Sequence, residues 1–210
     1  MVKITDTVTA SDRQWEIVTL GCRNAFNSWD RSDSYWDTAS GRYCIGEADL
    51  ELMKKLCMAG SSHRKFMRML PVYCNITAPL YFWKQLDKYK VGSTDNSGST
   101  MHCIHKCDVA EEDFSSENMD EGTYEIFNAV LQEINRCRKL YNETKNKKYW
   151  NSMIKLMPDS YNQRKTWNGN YEILKSIYHD RKGHKLAEWQ MFREWIESLP
   201  YSKLITGGEE

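Results

Sequence analysis

Apolar positions along the chain fall into short runs whose period switches between two and about three and a half. Val2 and Ile4 alternate with polar neighbours and predict an opening strand, and Trp15, Ile17 and Val18 predict a second β-like run. From Arg23 to Gly46 the chain is polar and aromatic, with Trp29, Tyr35, Trp36 and Tyr43 at no clear period. That stretch is long for a loop, so it is either a folded excursion or a functional flap. Between Glu47 and Met58, Leu50, Met53, Leu56 and Cys57 share one helical face, and Gly60 supplies a stop. Val72, Cys74 and Ile76 alternate with Tyr73, Asn75 and Thr77 and predict a strand. Pro79 suits the first position of a helix carrying Leu80, Phe82, Trp83 and Leu86 and running to about Tyr89 or Lys90.

The small, polar residues from Gly92 to Thr100 cannot pack a core and predict a loop able to hold a ligand. Tyr124, Phe127, Leu131, Ile134 and Tyr141 recur at helical intervals, so the longest helix is expected from Asp120 to Tyr141. Shorter helices are expected over 148–156, 170–181 and 186–199. With no internal repeat and no separating linker, the pattern predicts one α+β domain spanning 1–210.

Charge narrows the partners. The 29 basic and 29 acidic side chains cancel, which removes the bulk attraction that drives non-specific nucleic-acid binding. No apolar run approaches the roughly 20 residues that span a bilayer, and residues 1–10 lack the pattern of a signal peptide. A cytoplasmic protein without nucleic-acid or membrane partners is expected. The seven cysteines are an odd number without framework spacing, which fits reduced thiols, most of them small buried hydrophobes. A hydrophobic fraction of only 40% set against 8 Trp and 12 Tyr means that the core leans on large rings.

Two clusters carry candidate chemistry. His102-Cys103-Ile104-His105-Lys106-Cys107 offers four soft ligands in six residues, but no second ligand couple follows, and ordinary packing or surface residues are the favoured reading over a metal site. No cysteine has a context that predicts a lowered pKa. At the helix-to-loop junction Gln85 to Ser93, Lys88 and Lys90 flank Tyr89 and are followed by hydroxyls and glycine. This is either a phosphate cradle or a lysine-capped helix end followed by a surface turn.

The order of these residues resembles the flavin-dependent thymidylate synthases, ThyX, whose signature is RHRxxSxxxxSxR. Ile76-Thr77-Ala78-Pro79 matches the strand end that precedes the signature helix, and Gln85 falls on that helix's glutamine. Lys88-Tyr89-Lys90 stands where the family has RHR, with Ser93 on the first signature serine. Ser97-Gly98-Ser99-Thr100 lies in the place of SGRY, one residue shorter and without its arginine. Gly60 to His63 is similar to the family's Gly-His region, with His63 at the histidine. Downstream, Pro158, Asn170 and Arg181 reproduce the family's intervals, His184 is one residue out of step, and Ile154, beside Lys155, replaces an arginine. The resemblance covers roughly residues 47–102 and 150–197.

The resemblance implies a ThyX-like α+β fold with an antiparallel or mixed sheet packed with several helices, and a homotetramer with sites between subunits. It implies FAD as cofactor, dUMP as pyrimidine nucleotide, and methylenetetrahydrofolate and NADPH as co-substrates in methylation at C5. Carried over by position, His63, Lys88, Lys90, Ser93 and Asn170 contact the cofactor. Gln85, Lys88, Ser97 and Arg181 contact the nucleotide, with Arg181 as catalytic residue. Replacing RHR by Lys88-Tyr89-Lys90 keeps two charges but loses the planar forks that grip phosphate bidentately. Two alternatives remain: a catalytically silent nucleotide- or flavin-binding protein on this fold, and an interaction module that docks a partner through the aromatics of residues 29–43.

Overall fold

The computed structural model describes residues 1–207. Strand β1 (Lys3–Thr9) opens the chain. The β-like run expected at Trp15 is instead helix α1 (Asp12–Cys22). Ser11 and Gln14 cap it reciprocally: the Ser11 amide donates to Gln14 Oε1 at 2.8 Å and the Gln14 amide to Ser11 Oγ at 3.3 Å. Once that turn is fixed, Trp15, Val18 and Cys22 share a buried face and Ile17 is left 53% exposed. The cap and the helical burial pattern outweigh the strand propensity of the β-branched pair.

Residues 23–46 form a folded excursion. Two short 3₁₀ turns (Asn24–Phe26 and Trp29–Arg31) lead into a hairpin of β2 (Tyr35–Asp37) and β3 (Arg42–Cys44), antiparallel with Trp36 opposite Tyr43. Its anchor is Asp49, 1% exposed in the first turn of α2 (Glu47–Met58). Asp49 Oδ1 accepts from Arg23 Nε at 2.6 Å, and Oδ2 accepts the Ser32 and Ser34 hydroxyls, each at 2.6 Å, and the Ser34 amide at 3.2 Å. Asp33 caps the helix from outside, accepting the amides of Ala48 (2.8 Å) and Asp49 (3.0 Å) that would otherwise be orphaned. Gly46 allows this approach, because a Cβ there would lie 2.2 Å from Asp33 Cγ. Helix α2 occupies the expected residues, buries Met53 and Cys57, and gives way to Gly60 at φ +103°.

Strand β4 (Pro71–Pro79) buries Val72, Cys74, Ile76 and Ala78 in alternation. Helix α3 (Leu80–Leu86) follows with Pro79 as N-cap, not first helical residue, and stops short of Tyr89, the Asp87 amide donating to Trp83 O at 2.8 Å. The expected loop after Gly92 carries strand β5 (Thr94–Ser97), whose four side chains are all exposed; its backbone pairs at the sheet edge and no side chain announces it. Helix α4 (Thr100–Cys103) is one turn, while α5 (Glu121–Thr144) runs 24 residues from its Asp120 cap. After α6 (Lys147–Leu156) comes β6 (Asn162–Asn170), which hydrophobic patterning did not predict. The sheet order is β1-β4-β6-β5. Helices α7 (Tyr171–Asp180), α8 (Ala187–Glu197) and α9 (Lys203–Thr206) complete an α+β chain.

The described residues group into two compact units. The first comprises 1–3, 76–88 and 96–166. Its core is the α5–α6 pair around Phe127, Leu131, Ile134, Cys137 and Met153, with Phe114 edge-on to Phe127 at 5.3 Å. Ile154, where the resemblance expects arginine, packs half-buried against this apolar cluster. The second unit comprises 4–75, 89–95 and the chain from 167 onward. There Trp15 lies edge-on to Tyr171 (5.5 Å) and Tyr201 (4.9 Å), beside the fully buried Met53, Met67, Leu70, Ile177 and Leu204. Among the described residues no helix is long and apolar enough to cross a membrane. All seven cysteines are free, and Cys22, Cys57, Cys74 and Cys137 are buried.

Burial pushes the Asp49 carboxyl up, but the Ser32 and Ser34 hydroxyls and Arg23 more than offset it and hold it below the usual carboxylate range. Its stabilisation is therefore present above the unfolded-state pKa and is lost as pH falls through the lower folded value. We predict that Asp49→Ala, which strands the buried Arg23 charge, costs about 3–5 kcal/mol in urea unfolding at neutral pH. Asp49→Asn should flatten the acid limb of the stability curve; an unchanged acid limb would show that Asp49 does not contribute to it.

Candidate functional site

In the second unit residues 89–93 lie along α7, Gly92 at its N-terminal end and Tyr89 at its C-terminal end. Asn170 ends β6 and caps α7: its Oδ1 accepts the Ile173 amide at 3.0 Å, and its Nδ2 donates to Gly92 O at 3.3 Å. Gly92 has φ +87°, and a Cβ there would sit 2.9 Å from Asn170 Nδ2, so the turn needs glycine both for conformation and for room. The Ser93 hydroxyl donates to the Tyr89 carbonyl and closes the turn, while Lys90 is exposed. This geometry brings Ser93 and Asn170 to the same turn and gives each an internal structural task.

At the other end of α7, Arg181 is the C-cap, its amide donating to Ile177 O at 3.0 Å. Its guanidinium carbon lies 4.3 Å from the centroid of the Trp189 indole and 5.4 Å from that of the Tyr89 ring. Tyr89 and Trp189 meet edge-on at 6.5 Å, and the Tyr89 hydroxyl donates to Asp180 Oδ2 at 3.3 Å. Burial raises the Tyr89 phenol pKa; Arg181 opposes the shift and Asp180 adds to it. His184 ties in as well, its amide donating to Arg181 O at 3.2 Å and its ring standing 6.1 Å from Trp189. Two aromatic side chains thus steer the guanidinium that the sequence singled out. Trp189 was not anticipated; a Trp in the first turn of α8, soon after an Arg in a short loop, is the signal that marks it.

The first unit holds Gln85, half-buried on α3, Lys88, exposed just beyond it, and Ser97, exposed on β5. The end of α3 is pinned by Lys165, 7% exposed, whose Nζ donates to Asp87 at 3.0 and 3.1 Å and lies 4.4 Å over the Trp83 ring. Trp83 Nε1 in turn donates to Gln163 O at 2.9 Å. Lys165 and Asp87 escaped sequence reasoning because β6 itself did.

His63 is exposed and caps the 3₁₀ turn Arg64–Met69. It lines a cavity of about 290 Å³ with Cys22, Ala25, Leu56 and Phe66, and none of that cavity's lining residues belongs to the Asn170 and Arg181 group. Of the Cys-His cluster, His102, Cys103 and Cys107 are exposed and His105 is edge-on to Tyr141 at 5.5 Å. Among the described residues no group of three or more His, Cys, Asp or Glu side chains is placed to hold a metal ion. Burial pushes the Cys22, Cys57 and Cys74 thiols up to about 12, 11 and 12, away from nucleophilic use at neutral pH.

The sequence matches no protein-family model and no curated protein. Solved structures do match. The chain is similar to Thymidylate Synthase X (ThyX) from Helicobacter pylori with FAD and dUMP, with TM-score 0.70 and 15% identity over 99% of this chain and 98% of that one. It is also similar to a flavin dependent thymidylate synthase ThyX from Helicobacter pylori complexed with FAD and dUMP, with TM-score 0.67 and 16% identity over 99% and 97%. Likeness over nearly the full length of both partners gives this chain a ThyX-like fold.

Proposed function

We propose that this protein is a flavin-dependent, thymidylate synthase-like enzyme that binds FAD and methylates C5 of dUMP, using methylenetetrahydrofolate and NADPH as a homotetramer in the cytoplasm. The observation that carries this reading is the placement of Asn170 and Arg181 at the two ends of α7, beside the 89–93 turn, on a fold shared with FAD- and dUMP-bound structures.

The donor set suits a phosphate-bearing group. The candidate donors are Lys90 and the amides of the glycine turn, with Asn170 at one end of α7 and Arg181 at the other. His63, Lys88, Lys90, Ser93 and Asn170 are the proposed FAD contacts, and Gln85, Lys88, Ser97 and Arg181 the proposed nucleotide contacts. When bound, the flavin supplies the redox chemistry of the methyl transfer, so no protein nucleophile is required. Arg181, held against Trp189, offers a fixed positive charge to the negative charge that develops on the uracil ring. Lysines at 88 and 90 grip phosphate as point charges and specify its orientation less than arginines would.

A second reading, nucleotide or flavin binding without turnover, is favoured by those lysines and by the internal hydrogen bonds of Ser93 and Asn170. Purified protein should carry visible flavin absorbance and oxidise NADPH only when dUMP is present; flavin binding without dUMP-dependent oxidation would favour the second reading. Arg181→Ala should weaken dUMP binding by roughly 10–100-fold in calorimetry, the loss of one charged hydrogen-bonding group, and unchanged affinity would remove Arg181 from the nucleotide site. Tyr89→Leu should lower dUMP affinity up to about tenfold and Tyr89→Phe by less, because Phe keeps the ring beside the guanidinium and loses only the hydroxyl's hydrogen bond to it. Equal losses in both variants would point to the hydroxyl instead.

A further inference from the structure

The anchored excursion also walls a cavity that the proposed reaction does not use. Its volume is about 620 Å³, inside the roughly 300–1,000 Å³ range of small-molecule sites. Arg23, Phe26, Ser28 and Arg31 line it from the excursion, and Leu52 and Lys55 from α2. Of the cations, Arg23 is neutralised by Asp49 at 2.6 Å. Glu51 also lines the cavity, but its carboxylate accepts Lys54 Nζ at 3.0 Å, and that bond, followed by the Lys54 charge, holds it below its ordinary range. Arg31 and Lys55 make no ion pair among the described residues. With Arg23 paired to Asp49, the wall carries the cations Arg31 and Lys55 against the one carboxylate Glu51, whose charge also reaches Lys55, and the surplus is positive, which favours an anion. Beside them Phe26 is 60% exposed, a ring available for stacking. The walls are fixed in advance: Asp49 and Asp33 tie the excursion to α2, and Trp29 Nε1 donates to Asn24 Oδ1 at 2.8 Å across the two 3₁₀ turns.

We propose that this cavity binds a small phosphate monoester carrying a planar ring, the chemistry of a mononucleotide, with the phosphate between Arg31 and Lys55 and the ring on Phe26 and Leu52. The site is independent of the Arg181 site, and the proposed function can fail without affecting it.

Calorimetry with 1-naphthyl phosphate as probe tests it on the full chain. Saturable binding is expected, with inorganic phosphate and 1-naphthol each at least about tenfold weaker. Arg31→Ala/Lys55→Ala should weaken the probe at least about tenfold, and the charge-matched pair Lys139→Ala on α5 with Lys147→Ala on α6 should leave it unchanged. Lys55→Gln alone, a surface change on an intact helix, should give part of the loss. Phe26→Ser should weaken the probe but not inorganic phosphate. Binding unaffected by Arg181→Ala separates this site from the proposed dUMP site. The proposal is overturned by absence of saturable binding, by wild-type affinity in the Arg31→Ala/Lys55→Ala variant, by inorganic phosphate binding as tightly as the probe, or by loss of the probe on Arg181→Ala.

Discussion

Asp49 is the buried charge on which the N-terminal half of the second unit depends. One carboxylate gathers the end of α1 through Arg23, the excursion through Ser32 and Ser34, and the first turn of α2 on which it sits. Burying a carboxylate beside a guanidinium is costly, and the cost is offset only because both oxygens are satisfied by short, charge-assisted bonds. Such a node gains little in net stability over an apolar plug, but it fixes geometry. An irregular run of over twenty polar and aromatic residues thereby becomes a rigid wall.

The same logic recurs at Arg181. A neutral chain has no diffuse positive field with which to collect anions, so each cation must be aimed individually. Trp189 and Tyr89 aim one, and Lys165, tied to Asp87 and Trp83, fixes the end of α3 from which Lys88 departs. Helix α7 acts as a ruler between Asn170 and Arg181, which lie roughly 16 Å apart along its axis at 1.5 Å per residue. Side chains so separated suit different portions of a ligand or two ligands, as the proposed cofactor and nucleotide would require. The abundance of rings also finds a use beyond packing, as platforms for guanidinium groups: Arg193 lies 4.2 Å over Tyr178 in the same unit.

Much of the fold was legible where burial is apolar and periodic. Helix α2, the long α5 and the alternating β4 stand where Met53, Ile134 and Val72 place them. Strand β6 was not legible, because the alternating buried positions at its centre are Lys165, Trp167 and Gly169, a lysine satisfied by an ion pair and a glycine under a Trp ring, in place of a run of aliphatics. Strand β5 was invisible because none of its side chains is buried, and α1 was misread because a cap outside the apolar run decided it. At the candidate site, Asn170 and Arg181 were singled out by the family resemblance and stand at the two ends of α7. The partners that hold them, Gly92 and Trp189, depend on tertiary contacts that no local pattern encodes.

The chemistry itself is read most directly by mass spectrometry of the nucleotide after anaerobic incubation with FAD, NADPH, methylenetetrahydrofolate and dUMP. Conversion of dUMP to dTMP, abolished in Arg181→Ala, is the predicted result. Recovery of unaltered dUMP from protein shown to bind both FAD and dUMP would contradict it.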